Sequence, residues 1–241
     1  MITIYNNIQQ AIANQEKLLA VLIDPDKFHV QNTKPFIDKV NASIATHIFV
    51  GGSEVEAELT TILVKEIKKH TQLPVVLFPG DVTQITESAD ALLFLSLISG
   101  RNPEYLIGKH VKAVSKLKDT QLEIIPTGYL LIENGKETAV QRVTETQPLQ
   151  KNNSSHIVNT AKAGEFLGMK LIYLEAGSGA IEPVSKHIIS EVKEVLNIPL
   201  IVGGGIRTTT ALQNAYQAGA DVVVIGTAFE EDESFFDSLK K

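Results

Sequence analysis

Cysteine is absent from the 241 residues, which excludes disulfides, thiolate metal ligands and thiol nucleophiles and suits a reducing interior. No apolar stretch approaches the roughly 20 residues that a membrane-spanning helix requires. Met1 to Lys17 is polar and mixed, without the basic start and apolar run of a secretory signal. These two absences make a soluble cytoplasmic protein the expectation. Positive charge is outnumbered, 22 Lys and Arg against 28 Asp and Glu, for a formal net charge of −6. Neither broad nucleic-acid binding nor purely electrostatic attachment to anionic lipid is therefore expected. The six histidines include no pair at metal-ligand spacing and read as surface or structural residues. There is no G-x-S-x-G elbow, and Gly177-Ser178-Gly179 lacks a convincing histidine and acid partner, which disfavours a hydrolase triad.

Hydrophobic residues at 44% and charged residues at 21% are the proportions of a globular protein with a sizeable core. Strand-like runs recur at Leu18–Ile23, His47–Val50, Val75–Phe78, Ala91–Leu95, Leu122–Ile125, Lys170–Leu174, Leu200–Val202 and Val222–Ile225. They lack polar alternation, as parallel strands buried on both faces do. Helical spacing fills most of the gaps, at Asn32–Val40, Glu54–Lys69, Pro103–Leu117, Ile157–Leu167, Val184–Leu196 and Thr208–Ala218. Thr3–Asn14 is expected to cover a barrel floor, and Glu230–Leu239 to close the ring. No linker divides the chain, so residues 1–241 are expected to form one domain of the α/β class, a TIM (β/α)8 barrel. Lysine is missing from the strand ends apart from Lys27, which disfavours Schiff-base chemistry.

Two gaps are irregular. Only about a dozen residues, starting with Pro79-Gly80-Asp81, separate Phe78 from Ala91, which barely accommodates a crossover helix. The third helix is expected to be shortened or replaced by a non-helical segment that opens the outer wall. Thr127 to Ser155 is long and polar-studded around Tyr129-Leu130-Leu131-Ile132, a candidate lid or substrate wall.

Three glycine turns follow the last three strand-like runs: Ala176-Gly177-Ser178-Gly179, Gly203-Gly204-Gly205 and Gly226-Thr227. Backbone N–H groups freed at such turns make a phosphate site, held here from several sides. Glu175, between a strand and one of these turns, could take a proton from a substrate hydroxyl or form a structural salt bridge, with Arg207 as a partner in either role. Asp24-Pro25-Asp26-Lys27 follows the first strand; Asp24 suits either Mg²⁺ holding a phosphorylated substrate or the cap of a local turn. Ser53 could add a metal ligand or cap the following helix, or do both. Asp81 is a further acid at a strand end. A barrel isomerase or lyase acting on a phosphorylated metabolite, or a non-catalytic phosphate-sensing barrel, shares the phosphate site.

The segments Leu22-Ile23-Asp24-Pro25-Asp26-Lys27, Phe49-Val50-Gly51-Gly52-Ser53, Tyr173-Leu174-Glu175-Ala176-Gly177-Ser178-Gly179-Ala180, Val202-Gly203-Gly204-Gly205-Ile206-Arg207 and Ile225-Gly226-Thr227 occur in order along nearly the whole chain. Together they resemble geranylgeranylglyceryl phosphate synthase and its bacterial relatives. The resemblance implies a barrel whose third helix is replaced. It also implies a Mg²⁺-dependent transfer of a long prenyl chain, geranylgeranyl expected, from its diphosphate to the 3-hydroxyl of sn-glycerol 1-phosphate, giving an ether lipid precursor. By matching positions, Tyr173, Leu174, Glu175, Ala176, Gly177, Ser178, Gly179, Gly204, Gly205, Gly226 and Thr227 would hold the acceptor. Asp24 and Ser53 would hold Mg²⁺. Glu175 would deprotonate the hydroxyl, with Tyr173 beside it. Tyr129 would line the substrate site, and a dry apolar groove with Tyr129 or Tyr173 nearby could shield the reacting carbon. The resemblance also implies a homo-oligomer, dimer or hexamer, with transient membrane contact. Leu22 stands where some bacterial relatives carry lysine, so the chain looks more like the branch shared by many archaea and certain Gram-negative bacteria.

Overall fold

The computed structural model describes residues 3–53, 55, 56 and 58–241. The eight apolar runs become eight strands: β1 (Leu18–Ile23), β2 (His47–Val50), β3 (Val75–Leu77), β4 (Ala91–Ser96), β5 (Glu123–Leu131), β6 (Leu171–Glu175), β7 (Leu200–Gly203) and β8 (Val222–Ile225). All pair in parallel and in chain order, and β8 closes on β1 through Leu18↔Val222 to Val21↔Ile225. Strand residues alternate between two apolar regions. Leu18 and Ala20 point into the barrel, whereas Leu19, Val21 and Ile23 meet the helices outside. Burial on both faces is why the sequence carries continuous apolar runs.

The helices are α1 (Ile4–Ala13), α2 (Thr33–Ala42), α3 (Leu59–Ile67), α4 (Lys109–Leu117), α5 (Ala139–Thr144), α6 (Ser154–Phe166), α7 (Lys186–Val195), α8 (Thr209–Gln217) and α9 (Thr227–Glu231). As expected, α1 seals the floor, with Ile8 and Ala11 joining the barrel interior. Thr208 caps α8 by accepting from the Ala211 N–H at 3.1 Å. Between β3 and β4 the described chain forms only a 3-10 turn, Val82–Gln84, so the missing third helix is borne out.

Four expectations need correction. The helix expected from Glu54 runs only over Leu59–Ile67, and the residue before it, Glu58, has φ of 73°. Ser53 therefore does not cap it; Glu54 and Ala57 lie outside the described residues. The helix expected at Pro103 opens with a π turn, Glu104–Gly108. Glu230–Leu239 is not one helix: α9 begins earlier, and Asp232 breaks it by accepting from the Ser234 N–H at 2.8 Å, which starts a 3-10 segment. Tyr129-Leu130-Leu131 belongs to β5, paired with Tyr173-Leu174-Glu175, because those residues alternate between interior and helix layer. The wall segment proper starts after it and carries α5, opened by a reciprocal capping box between Thr138 and Gln141.

Candidate active site

Two cavities meet at the C-terminal rim of the barrel. The more polar one, about 1170 Å³ with its open mouth included, is lined by Asp24, Ser53, Tyr129, Tyr173, Glu175, Ser178, Gly204, Gly205, Gly226 and Thr227. Most of the strand-end residues singled out in the sequence thus surround a single space, although Gly177, Gly179 and Asp81 do not line it. The side chains of Leu174 and Ala176 turn instead into the layer between strands and helices. The second cavity, about 860 Å³ and mostly apolar, runs under the 3-10 turn where a third helix would stand. Ile85, Leu92, Phe94, Tyr105 and Ala113 line it, with Val140 and Val143 of α5 on the far side. Gly52, Ser53, Phe78, Tyr129 and Val140 line both cavities and mark the junction.

Glu175 lies on the polar side of that junction. It is buried, and desolvation pushes its carboxyl from the ordinary 4.5 up to about 7, against the opposing pull of the Gly177 N–H and the Tyr173 hydroxyl. The Gly177 N–H donates to Oε1 at 2.6 Å. No described lysine or arginine pairs with it, so the salt-bridge reading fails. Arg207 is held elsewhere, by Glu231 at 3.3 Å and the Ala180 carbonyl at 2.6 Å. The carboxylate fits only because glycine faces it: a Cβ on Gly204 would lie 2.3 Å from Oε1, and one on Gly203 2.9 Å from Oε2. Tyr173 Oη packs over Gly203, buried beside the Glu175 carboxyl on which it pulls, but makes no hydrogen bond of ordinary geometry with any described residue. Burial first, then the neighbouring Glu175 charge, holds this phenol well above its ordinary range.

Phe78, Tyr129 and Tyr173 form one aromatic cluster with ring centroids 5.2–5.9 Å apart, the ceiling of the barrel core and the floor of the site. Around Glu175, the glycine turns come together. Gly177, Gly179, Gly204 and Gly205 all have left-handed φ, and Ser178 Oγ approaches Thr227 Oγ1 at 3.4 Å. Backbone N–H groups and hydroxyls converging in this way suit an anion.

Asp24 has both of the roles left open for it. It stabilises its own turn, accepting from the Asp26 N–H at 3.1 Å, and it also reaches the cavity. Burial raises its carboxyl above the usual range, despite the Asp26 N–H and Lys27 at 3.4 Å. A Cβ on Gly52 would fall 2.4 Å from its Oδ1, so the β2 turn is shaped around this carboxylate. One carboxylate and a nearby hydroxyl, Ser53, are hard oxygen donors that fit Mg²⁺ completed by phosphates and water. Among the described residues no group of three acids or histidines forms an all-protein cage. Asp81 is taken up by Lys109 at 2.5 Å and the Thr83 N–H.

Sequence reading missed two supports. Buried Gln84 grips Gly52 through both backbone groups, at 3.2 and 2.8 Å, and so fixes the turn beside Asp24. Asn134 donates to the Ala176 carbonyl and ties the wall segment to the loop after β6. Neither has a local signal, since each partner is remote in sequence.

The PcrB family model matches residues 11–241. The chain is 56% identical over 236 residues to geranylgeranylglyceryl phosphate synthase of Flavobacterium johnsoniae, covering 98% of this chain and 97% of that one. It is 59% identical over 230 residues to the protein of the same name from Zunongwangia profunda, covering 95% and 98%. Among solved structures, (S)-3-O-geranylgeranylglyceryl phosphate synthase from Thermoplasma acidophilum, in complex with sn-glycerol-1-phosphate, superposes with a TM-score of 0.93 at 33% identity, covering 99% and 96%. A closed barrel with its strand-end motifs gathered at one rim, and likeness along almost the whole length, place this chain in the PcrB family.

Proposed function

We propose that the chain transfers a long prenyl group from its diphosphate to the 3-hydroxyl of sn-glycerol 1-phosphate, yielding an ether-linked lipid precursor and diphosphate. The observation that carries this reading is the position of Glu175. A buried carboxylate whose pKa lies near neutrality faces an anion-binding set of turns and stands beside the mouth of an apolar groove. A general base works best with a pKa close to the operating pH.

The acceptor's phosphate occupies the turns at Ser178, Gly204-Gly205 and Gly226-Thr227, which brings its 3-hydroxyl to Glu175. The hydroxyl oxygen attacks C1 of the prenyl chain and its proton passes to Glu175. The bond from C1 to the diphosphate oxygen breaks, and its electron pair leaves with the diphosphate. Tyr129, Tyr173 and Phe78 present ring faces where the allylic carbon gains positive character and keep that volume dry. Asp24 and Ser53 are the residues to hold Mg²⁺, which when bound supplies Lewis-acid neutralisation of the leaving diphosphate. The chain lies in the groove opened by the missing helix. The enzyme works as a homo-oligomer, dimer or hexamer, in the cytoplasm with transient membrane contact. Among the described residues no helix is long and apolar enough to cross a membrane.

The test is transfer from a ladder of prenyl diphosphates to sn-glycerol 1-phosphate, with sn-glycerol 3-phosphate as control acceptor. Ether product from the first acceptor alone is expected. No product with any donor sinks the reading and leaves the isomerase or lyase alternative.

A further inference from the structure

The polar cavity is poor in available positive charge. Its lining includes four carboxylates, Asp24, Asp26, Glu175 and Glu230. Of its cations, Lys27 bridges Asp24 and Glu230 at 3.4 and 3.5 Å, and Arg207 is bound to Glu231. A phosphate and a diphosphate together bring several negative charges into this space. The remaining cation in the lining is Arg142, at the end of α5, which forms no ion pair with any described residue. Its helix stands between the two cavities. Val140 lines both, Val143 lines the apolar groove, and Arg142 faces the polar side. A donor whose chain passes Val143 and Val140 leaves its head group beside Arg142.

A second cation comes from the same segment. Lys136 does not line the cavity itself, but its Nζ lies 3.7 Å from the point that a Cβ on Gly179 would occupy, next to the lining residue Ser178. The segment is fastened to that turn. Asn134 donates to the Ala176 carbonyl, and the Thr138 methyl packs over Gly177 so closely that a Cβ there would fall 2.2 Å from it.

We propose that the wall segment after β5 supplies the charge the strand ends lack, Arg142 binding the diphosphate of the donor and Lys136 the phosphate of the acceptor. This assignment rests on the transferase reading above. The chemistry of the two side chains suits it: a planar guanidinium can span two oxygens of a diphosphate, and an ammonium is a point charge for a single phosphate.

Calorimetric titration of inorganic diphosphate with Mg²⁺, and separately of sn-glycerol 1-phosphate, into the full chain tests the assignment. Arg142→Ala should weaken diphosphate by about tenfold or more and leave the acceptor within about twofold, with Arg142→Lys recovering part of the loss. Lys136→Ala should show the reverse pattern. In turnover, Arg142→Ala should raise KM for the prenyl diphosphate and not for the acceptor. Unchanged diphosphate affinity in Arg142→Ala, or equal loss of both ligands in either variant, overturns the assignment. A wild-type chain that bound both anions but transferred no prenyl group would sink the transferase reading, while the binding pattern of the variants still decided the roles of Arg142 and Lys136.

Discussion

Replacing Glu175 by glutamine should make the protein more stable and nearly inactive, and the gain should depend on pH. Burial raises this carboxyl from 4.5 to about 7. Below about pH 4.5 it is protonated in the folded and unfolded chain alike, and its ionisation costs nothing. Between those values the unfolded chain releases a proton that the folded chain keeps, so wild-type stability falls as pH rises. Above about pH 7 the full penalty applies: about 2.5 units at 1.36 kcal/mol each, or about 3 kcal/mol. The amide of Glu175→Gln carries no charge, and its oxygen still accepts from the Gly177 N–H that now binds Oε1 at 2.6 Å. At roughly 2–4 °C per kcal/mol for a chain of this size, the variant should melt on the order of 10 °C above wild type near pH 8. The two curves should converge near pH 4.5. Scanning calorimetry across that range checks it. Turnover should fall by about 10²–10⁴, the usual contribution of a general base, while wild-type kcat/KM rises with pH and levels off above about 7. A melting difference that stayed constant with pH, or a flat kcat/KM profile through that window, would refute the account of Glu175 as a desolvated base.

Gly204→Ala should destabilise the fold by about 1–3 kcal/mol, because φ is 82° and the new methyl lies 2.3 Å from Glu175 Oε1; thermal melting and acceptor titration should report both losses. Ala113→Phe, in the groove wall, should shorten the preferred donor. Excluding one five-carbon unit forfeits about 0.8 kcal/mol per carbon, roughly a thousandfold in kcat/KM for the longest chain relative to a shorter one. Asp24→Asn should weaken the Mg²⁺ dependence of diphosphate binding seen by calorimetry while leaving sn-glycerol 1-phosphate affinity within about twofold.

The barrel was legible because its strands advertise themselves locally. A strand buried on both faces must be apolar at successive positions, so β1, β2 and β8 can be delimited to the residue from composition alone. The gap after Phe78 revealed the missing helix by length, and glycine spacing marked the turns with left-handed backbone, since their geometry is set within a few residues. Glu175 was legible as a candidate base from its type and position, but its desolvation was not. What raises Glu175 is burial between Tyr173 of its own strand and Gly203 and Gly204 at the end of the paired β7, contacts that exist only once the two strands pair. The same holds for Gln84 clamping Gly52, for Asn134 holding Ala176, and for Val140 standing between groove and pocket. Tyr129 shows the dividing line within a single residue. The polar-studded segment around it suggested a lid or substrate wall, whereas pairing with Tyr173 made it strand and carried its ring into the barrel. Sequence periodicity thus determined the elements and their order. The surroundings of each candidate site atom were decided by tertiary packing, because desolvation depends on what packs beside it from other strands and loops and not only on what lies next in the chain.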